Sequence, residues 1–121
     1  MWIFTTLGFF SVVADRRTPD MLVVRGRDRA DLERLALEVP ALKDNAARTV
    51  VETPRADYPF RIALNRDDFT SWLTLHAEEI EYDNFKGAVA RSDARRATLY
   101  HEVWDVMRKL DPREAPRRRS K

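Results

Sequence analysis

Two histidines are the side chains in this sequence best suited to acid–base chemistry. His76 precedes Glu79 by three residues and His101 precedes Asp105 by four, so each imidazole would lie beside a carboxylate on one helix face. Such a pair can orient an imidazole as a general base, which makes these four the candidate catalytic residues of a small enzyme or metal protein. Packing at the border of an apolar stripe explains the same spacing, and we favour that interpretation.

A cluster of arginines suggests anion binding. Arg25, Arg27 and Arg29 lie near the predicted start of a helix, where guanidinium groups could hold a phosphate or a carboxylate. A solvated strand face balanced by Asp28 and Asp31 accounts for them equally simply. We favour this second interpretation and keep the arginines as candidates for anion or nucleic-acid binding.

Metal and cofactor chemistry finds little support in the sequence. The acidic residues around Tyr82 are Glu78, Glu79, Glu81 and Asp83. They lack the spacing of an EF-hand, so a solvated helix end is the favoured explanation. Tyr82 and Asp83 could otherwise join the two histidines in a site. The sequence has no cysteine, which excludes disulfides, thiolate zinc sites and cysteine nucleophiles. We predict neither a metal nor a cofactor.

The positive charge is concentrated at one end of the chain. Residues 113–121 carry a net charge of +4, whereas the other 112 residues hold 17 basic and 19 acidic groups. Arg117, Arg118 and Arg119 could bind nucleic acid, an acidic protein or an anionic lipid, with strong salt dependence. A solubilising tail is the alternative. We predict one domain over residues 1–111 and a disordered basic tail over 112–121.

Hydrophobic periodicity predicts four strands and three helices. The strands cover residues 1–13, 21–27, 48–53 and 58–65, and the helices cover about 29–38, 66–80 and 93–110, with a further helical turn over 85–90. Asp28 and Asn65 are the expected N-caps of the first two helices. The order ββαββαα predicts an α+β two-layer sandwich, in which a mostly antiparallel sheet carries helices on one face.

The first predicted strand is apolar on both faces. Aromatic residues in such a strand usually belong to the core, although an open sheet with aromatics and basic residues is typical of RNA binding. Helices on one side alone would leave the second face uncovered, and a second copy of the chain is an economical cover. We therefore predict a homo-oligomer with Trp2, Phe4 and Phe10 at its interface.

The predicted location is cytoplasmic. The apolar run begins at residue 1 without a preceding basic region, which disfavours a signal peptide, and no apolar stretch reaches the length of a membrane span.

Four segments resemble a family of short, uncharacterised bacterial or phage proteins. They are MWIFTTLGFFSVV, TPRADYPFRI, EIEYDNFK (residues 79–86) and YHEVW (residues 100–104). The resemblance covers roughly residues 1–110 and implies a bacterial or phage origin, without implying any activity or functional residue.

These observations favour a non-enzymatic interaction or regulatory module that forms a homodimer. A nucleic-acid-associated protein that uses the basic tail with Arg25, Arg27 and Arg29 is the first alternative. A small enzyme or metal protein centred on His76 and His101 is the second.

Overall fold

The computed structural model describes residues 1–114 and divides the chain into two compact units, Met1–Glu81 and Tyr82–Lys121. The stretch predicted as one domain therefore contributes to both units. Pro112–Glu114, at the start of the predicted tail, forms a turn of 3₁₀ helix. Arg117, Arg118 and Arg119 lie outside the described residues.

The first unit contains one antiparallel sheet. Its five strands are β1 (Trp2–Phe4), β2 (Phe9–Ala14), β3 (Met21–Gly26), β4 (Val51–Glu52) and β5 (Phe60–Asn65). They lie in the order β1-β2-β3-β5-β4, and every neighbouring pair is antiparallel. The α+β class is confirmed, but the prediction of four strands is corrected to five.

A tight turn explains the additional strand. The Thr5 backbone N–H and hydroxyl both donate to the Gly8 carbonyl, at 2.8 and 3.1 Å, so the continuous apolar run folds into the β1–β2 hairpin. The predicted strand over residues 48–53 is also shorter. A four-residue helix occupies its first positions, and only Val51–Glu52 joins the sheet.

Residues 1–114 contain five α-helices: α1 (Arg29–Glu38), α2 (Ala46–Thr49) and α3 (Arg66–Glu78) in the first unit, and α4 (Phe85–Ser92) and α5 (Ala94–Met107) in the second. The predicted N-caps of α1 and α3 are confirmed, since Asp28 accepts from the Ala30 N–H and Asn65 from the Asp67 N–H. Their short side chains satisfy amide groups that the first helical turn leaves free. The N-cap of α5 is Asp93, which directly follows the last residue of α4, Ser92.

The core of the first unit lies between the sheet and its helices. Val24 and Ile62 from the two central strands, with Leu32 and Leu35 from α1, are almost completely buried. Trp72 and Phe69 bring α3 into the same apolar cluster. A Cβ at Gly26 would collide with the Leu32 side chain, so the missing side chain lets α1 approach β3 closely.

Within residues 1–114, no helix combines the length and the apolar composition that a bilayer crossing requires.

The Asp93 cap makes the α5 helix sensitive to acid. The Arg96 backbone N–H donates to Asp93 at 3.0 Å and holds the pKa of that carboxyl below its ordinary value, with a smaller contribution from the Arg96 guanidinium. A lowered folded-state pKa stabilises the fold above about pH 4, and this contribution disappears as the pH falls further. We expect Asp93→Asn, which keeps a side-chain acceptor, to weaken the acid-induced loss of helical ellipticity between pH 5 and 2. Coincident curves for the two proteins would contradict this.

Candidate functional site

The sheet of the first unit has one face turned away from the core. We call it the open sheet face. One row of cross-strand partners on it runs through all five strands: Trp2, Ser11, Arg25, Arg61 and Val51. Because directly paired residues point to the same side, this row and the positions two residues away from it form a continuous surface.

Aromatic rings gather at one end of this face. The Phe9 ring stacks on Phe4 with centroids 4.6 Å apart, meets Trp2 edge-on at 5.9 Å and lies 6.4 Å from Tyr58. Trp2 nevertheless remains 64% exposed, whereas Tyr58 is buried. The cluster thus has a covered centre and one large aromatic side chain available for a further contact.

Three arginines surround Tyr58. The guanidinium groups of Arg25 and Arg27 each lie 4.7 Å from the centre of its ring. Arg25 also donates to the Ser11 hydroxyl at 2.7 Å, and Arg27 pairs with Asp57 at 3.0 Å. Arg61 donates to the Tyr58 carbonyl at 3.5 Å. Each guanidinium therefore has a polar partner within the first unit.

The other end of the open sheet face is aliphatic. Val13, Val23 and Ala63 form the next row of partners that points outward, and Met21 lies beyond them on β3. Val13 is 38% exposed and Val51, on the edge strand, is 59% exposed. The exposed apolar groups therefore extend from one edge of the sheet to the other.

The predicted interface residues do not share one face. Trp2 and Phe4 lie on the open sheet face, but Phe10 is 3% exposed and meets the Trp72 ring edge-on in the core, 5.5 Å away. Successive residues of a strand point to opposite sides, so Phe9 replaces Phe10 in the aromatic cluster. Phe10 is therefore removed from the predicted set of interface residues.

The predicted arginine cluster is also divided. Arg25 and Arg27 lie together at Tyr58, whereas Arg29 bonds to Glu33 at 2.9 Å and to the Ala47 carbonyl at 3.2 Å. The Arg29 guanidinium also lies 3.9 Å from Glu52. Glu52 pairs with Phe60, and Phe60 pairs with Gly26, so this glutamate lies on the helix-covered side of the sheet. Two of the three arginines thus remain candidates for one surface.

His76 has a different partner from the one predicted. Its Nε2 lies 2.8 Å from a Glu38 oxygen, and its ring lies 4.3 Å from Trp72. Glu79 instead marks the end of α3, where its backbone N–H donates to the Leu75 carbonyl. These contacts join α3 to α1 and fit the packing interpretation of this histidine.

His101 belongs to the second unit. Its Nδ1 lies 3.2 Å from the Lys86 amine, and its ring stacks on Trp104 at 5.3 Å. Asp105 pairs with Arg108 at 3.4 Å. Neither predicted histidine–carboxylate pair is therefore formed. Among residues 1–114, no group of three or more histidine and acidic side chains is placed to hold a metal ion.

Sequence reasoning overlooked Tyr58 and Arg61. The alternation in YPFRI predicted the strand but not the contact of Tyr58 with Arg25 and Arg27, which are about thirty positions away. Arg61 belongs to the predicted strand over residues 58–65 but was not among the candidate site residues. Only the pairing of β3 with β5 brings these residues together.

Comparisons with protein-family models, with curated proteins and with solved structures find no match for this chain. The candidate site therefore rests on its own geometry.

Proposed function

We propose that this chain is a non-enzymatic interaction module that forms a homodimer through the open sheet face. The observation that carries the proposal is the exposure of Trp2, Val13 and Val51 on the side of the sheet opposite the helices. Covering an apolar face of this kind lowers its free energy in water, and a matching sheet of a second copy can cover it. A cytoplasmic location remains part of this proposal.

The charges of the face favour a protein partner over a polyanion. Trp, Tyr and Arg are the side chains most enriched at the centres of protein interfaces. Arg27 already pairs with the Asp57 carboxylate, so burial would not leave its charge uncompensated, and Arg25 donates one hydrogen bond to the Ser11 hydroxyl. Electrostatic binding of nucleic acid instead relies on cations that neutralise phosphates.

The register of the strands supports a second copy as that partner. One possible two-fold axis runs perpendicular to the strands, at the level of Val13 and Val23. It would place Arg25 of each copy opposite the end of the partner's sheet that contains Asp15 and Met21. An axis parallel to the strands would instead set arginines against arginines. The first arrangement is therefore the one we propose, and it places the valines at the centre of the interface.

The absence of cysteine makes this arrangement directly testable. A single Val13→Cys substitution lies close to the proposed axis, so the two copies should form a disulfide-linked dimer under mild oxidation. Leu37→Cys is the matched control, because Leu37 is 56% exposed on α1 and belongs to the opposite side of the sheet. Cross-linking of the control alone would contradict the proposed face.

Analytical ultracentrifugation of the wild-type chain measures the dimer itself. We expect a dimer at tens of micromolar, as for a moderately tight interface, and a loss of affinity of about 100-fold for Val13→Asp, since two carboxylates would meet at the axis. The substitution lies on an exposed side chain, so circular dichroism should show an intact fold. A wild-type chain that stays monomeric at these concentrations would overturn the proposal.

A specific contact favours single-stranded nucleic acid as a second candidate partner. Two guanidinium groups lie 4.7 Å from the centre of the Tyr58 ring, and Phe9 contacts both Tyr58 and Trp2, so this end of the face combines aromatic rings with positive charge. The basic residues 117–119 would add electrostatic affinity. This candidate requires that the chain bind a single-stranded oligonucleotide with an affinity that falls steeply as the salt concentration rises. Trp2→Ala should weaken this binding, and removal of residues 113–121 should weaken it further. An absence of oligonucleotide binding would exclude this candidate.

A further inference from the structure

Two arginines face each other across neighbouring strands of the open sheet face. Arg25 on β3 is the direct cross-strand partner of Arg61 on β5, and both side chains are half-buried. Directly paired side chains begin about 5 Å apart, and like charges at such positions destabilise an antiparallel sheet. The pair therefore weakens the fold unless a negative charge lies between the two guanidinium groups.

No carboxylate of residues 1–114 forms an ion pair with either guanidinium. Arg25 donates to the Ser11 hydroxyl at 2.7 Å, while its Nε is buried and has no hydrogen-bond partner among the same residues. Arg61 donates from Nε to the Tyr58 carbonyl at 3.5 Å. Both acceptors are neutral oxygens, so the two positive charges lack a negative counterpart within the described chain.

The third arginine of this surface already has a counter-ion. Arg27 pairs with the Asp57 carboxylate at 3.0 Å. The three guanidinium groups and this one carboxylate leave two positive charges uncompensated beside the Tyr58 ring. A phosphate group carries close to two negative charges near neutral pH and presents three acceptor oxygens, so its charge matches this excess.

We propose that Arg25 and Arg61 form a binding site for a phosphate dianion, supplied as inorganic phosphate or as a small phosphomonoester. A guanidinium donates paired hydrogen bonds to phosphate oxygens, and two guanidinium groups on adjacent strands can hold one phosphate from both sides. A carboxylate carries a single charge and would leave one of the two arginines uncompensated. The local charge therefore favours a dianion.

The site goes beyond the proposed homodimer and does not depend on it, because Arg25 and Arg61 belong to one chain. The proposed dimer brings Asp15 of one copy towards Arg25 of the other. This carboxylate already accepts from the Arg17 and Thr18 N–H groups of its own turn, at 2.8 and 3.3 Å. It also carries one charge only, so Arg61 would still lack a counter-ion in the dimer.

Titration of the full chain with sodium phosphate, followed by proton–nitrogen correlation NMR, tests the site. The Nε–H signals of Arg25 and Arg61 should shift together and saturate, with a dissociation constant of about 1 mM or lower at low ionic strength. Acetate, a monoanion, should bind at least about tenfold more weakly. Phenyl phosphate distinguishes the two sources: tighter binding than that of phosphate favours a monoester, and equal or weaker binding favours the free ion.

Substitution of Arg61 connects the binding to this pair of side chains. Arg61→Gln removes one of the two guanidinium groups and should weaken phosphate binding by about tenfold or more. Arg61→Lys keeps the charge without the paired donors and should recover part of that loss. Arg48→Gln changes an exposed arginine on α2, lowers the net charge equally and should bind phosphate as the wild type does. Circular dichroism checks that each variant is folded.

The inference is overturned if phosphate leaves both Nε–H signals unmoved, or if acetate binds as tightly as phosphate. Equal losses in Arg48→Gln and Arg61→Gln would also overturn it, since net charge alone would then explain the binding. Ultracentrifugation measures the dimer separately. A monomer that binds phosphate would remove the proposed dimer and support this site, whereas a dimer that does not bind phosphate would do the opposite.

Discussion

Replacement of Trp72 by alanine should lower the free energy of unfolding by about 3–5 kcal/mol, the usual cost of truncating a buried aromatic side chain to alanine. Trp72 is 3% exposed. Its ring meets Phe10 edge-on at 5.5 Å, stacks on Phe69 at 6.1 Å and lies 4.3 Å from His76. The substitution would therefore leave a cavity where α3 packs against the sheet, and urea denaturation measures the loss.

Two further variants separate packing from hydrogen bonding at this position. The indole N–H of Trp72 is buried and has no hydrogen-bond partner among the described residues. Trp72→Phe retains an aromatic ring and removes this unsatisfied donor, so it should cost less than half as much as alanine. Trp104→Ala changes an exposed tryptophan and should cost less than about 1 kcal/mol. A Trp72→Ala loss of similar size to that of Trp104→Ala would show that α3 does not close this core.

The position of α3 was predictable because its signals are local. Phe69, Trp72 and His76 recur at helical spacing, and Asn65 precedes them as an N-cap. Both features depend on neighbours within one or two helical turns, and the structure contains a helix with that cap. The same reasoning predicted α1 with its observed bounds.

The first two strands were not separated in the prediction because the apolar pattern runs through their turn. Thr5 and Gly8 form that turn through two hydrogen bonds, yet neither residue interrupts the hydrophobicity of MWIFTTLGFF strongly. The position of this turn also decides which residues face the core. A strand alternates strictly, so its register sends Phe9 outward and Phe10 inward, although Phe10 was predicted at the interface.

Partners distant in the sequence could not be predicted. Helical spacing predicted Glu79 as the partner of His76, but the residue that contacts His76 is Glu38, 38 positions earlier. Tyr58 likewise meets Arg25 and Arg27 only because β3 pairs with β5. The sequence identifies residue types and local faces, whereas the pairing of elements determines which side chains form a site.

A second large effect is expected at Asp31, a carboxylate on α1 that is 2% exposed. It accepts from the Phe9 N–H at 3.1 Å and from Arg34 at 2.6 Å, and Arg34 also donates to the Leu7 carbonyl at 2.8 Å. Arg34→Ala would remove the guanidinium that donates to this buried carboxylate. Since Arg34 is 43% exposed, we expect a loss of about 2–3 kcal/mol, below the range for a completely buried pair.

Asp31→Ala removes the charge but leaves the Phe9 N–H without its acceptor, at a cost of about 1–3 kcal/mol. The double variant should cost less than the sum of the two single variants, because both act on one network. Glu33→Ala is the control: it lies on the same helix in a partly exposed pair with Arg29, and about 0–1 kcal/mol is expected. Strict additivity of the Asp31 and Arg34 effects would contradict a shared network.

This network also links α1 to the proposed dimer interface. Asp31 and Arg34 hold Leu7 and Phe9, which flank Gly8 in the hairpin that carries Trp2 on β1. Loss of these contacts should let β1 separate from β2 more often than the rest of the sheet unfolds. We therefore expect faster amide hydrogen exchange at residues 2–4 in Asp31→Ala than at the central strands, together with a weaker dimer. Uniform acceleration throughout the sheet would show instead that the network supports the core as a whole and has no particular role at β1.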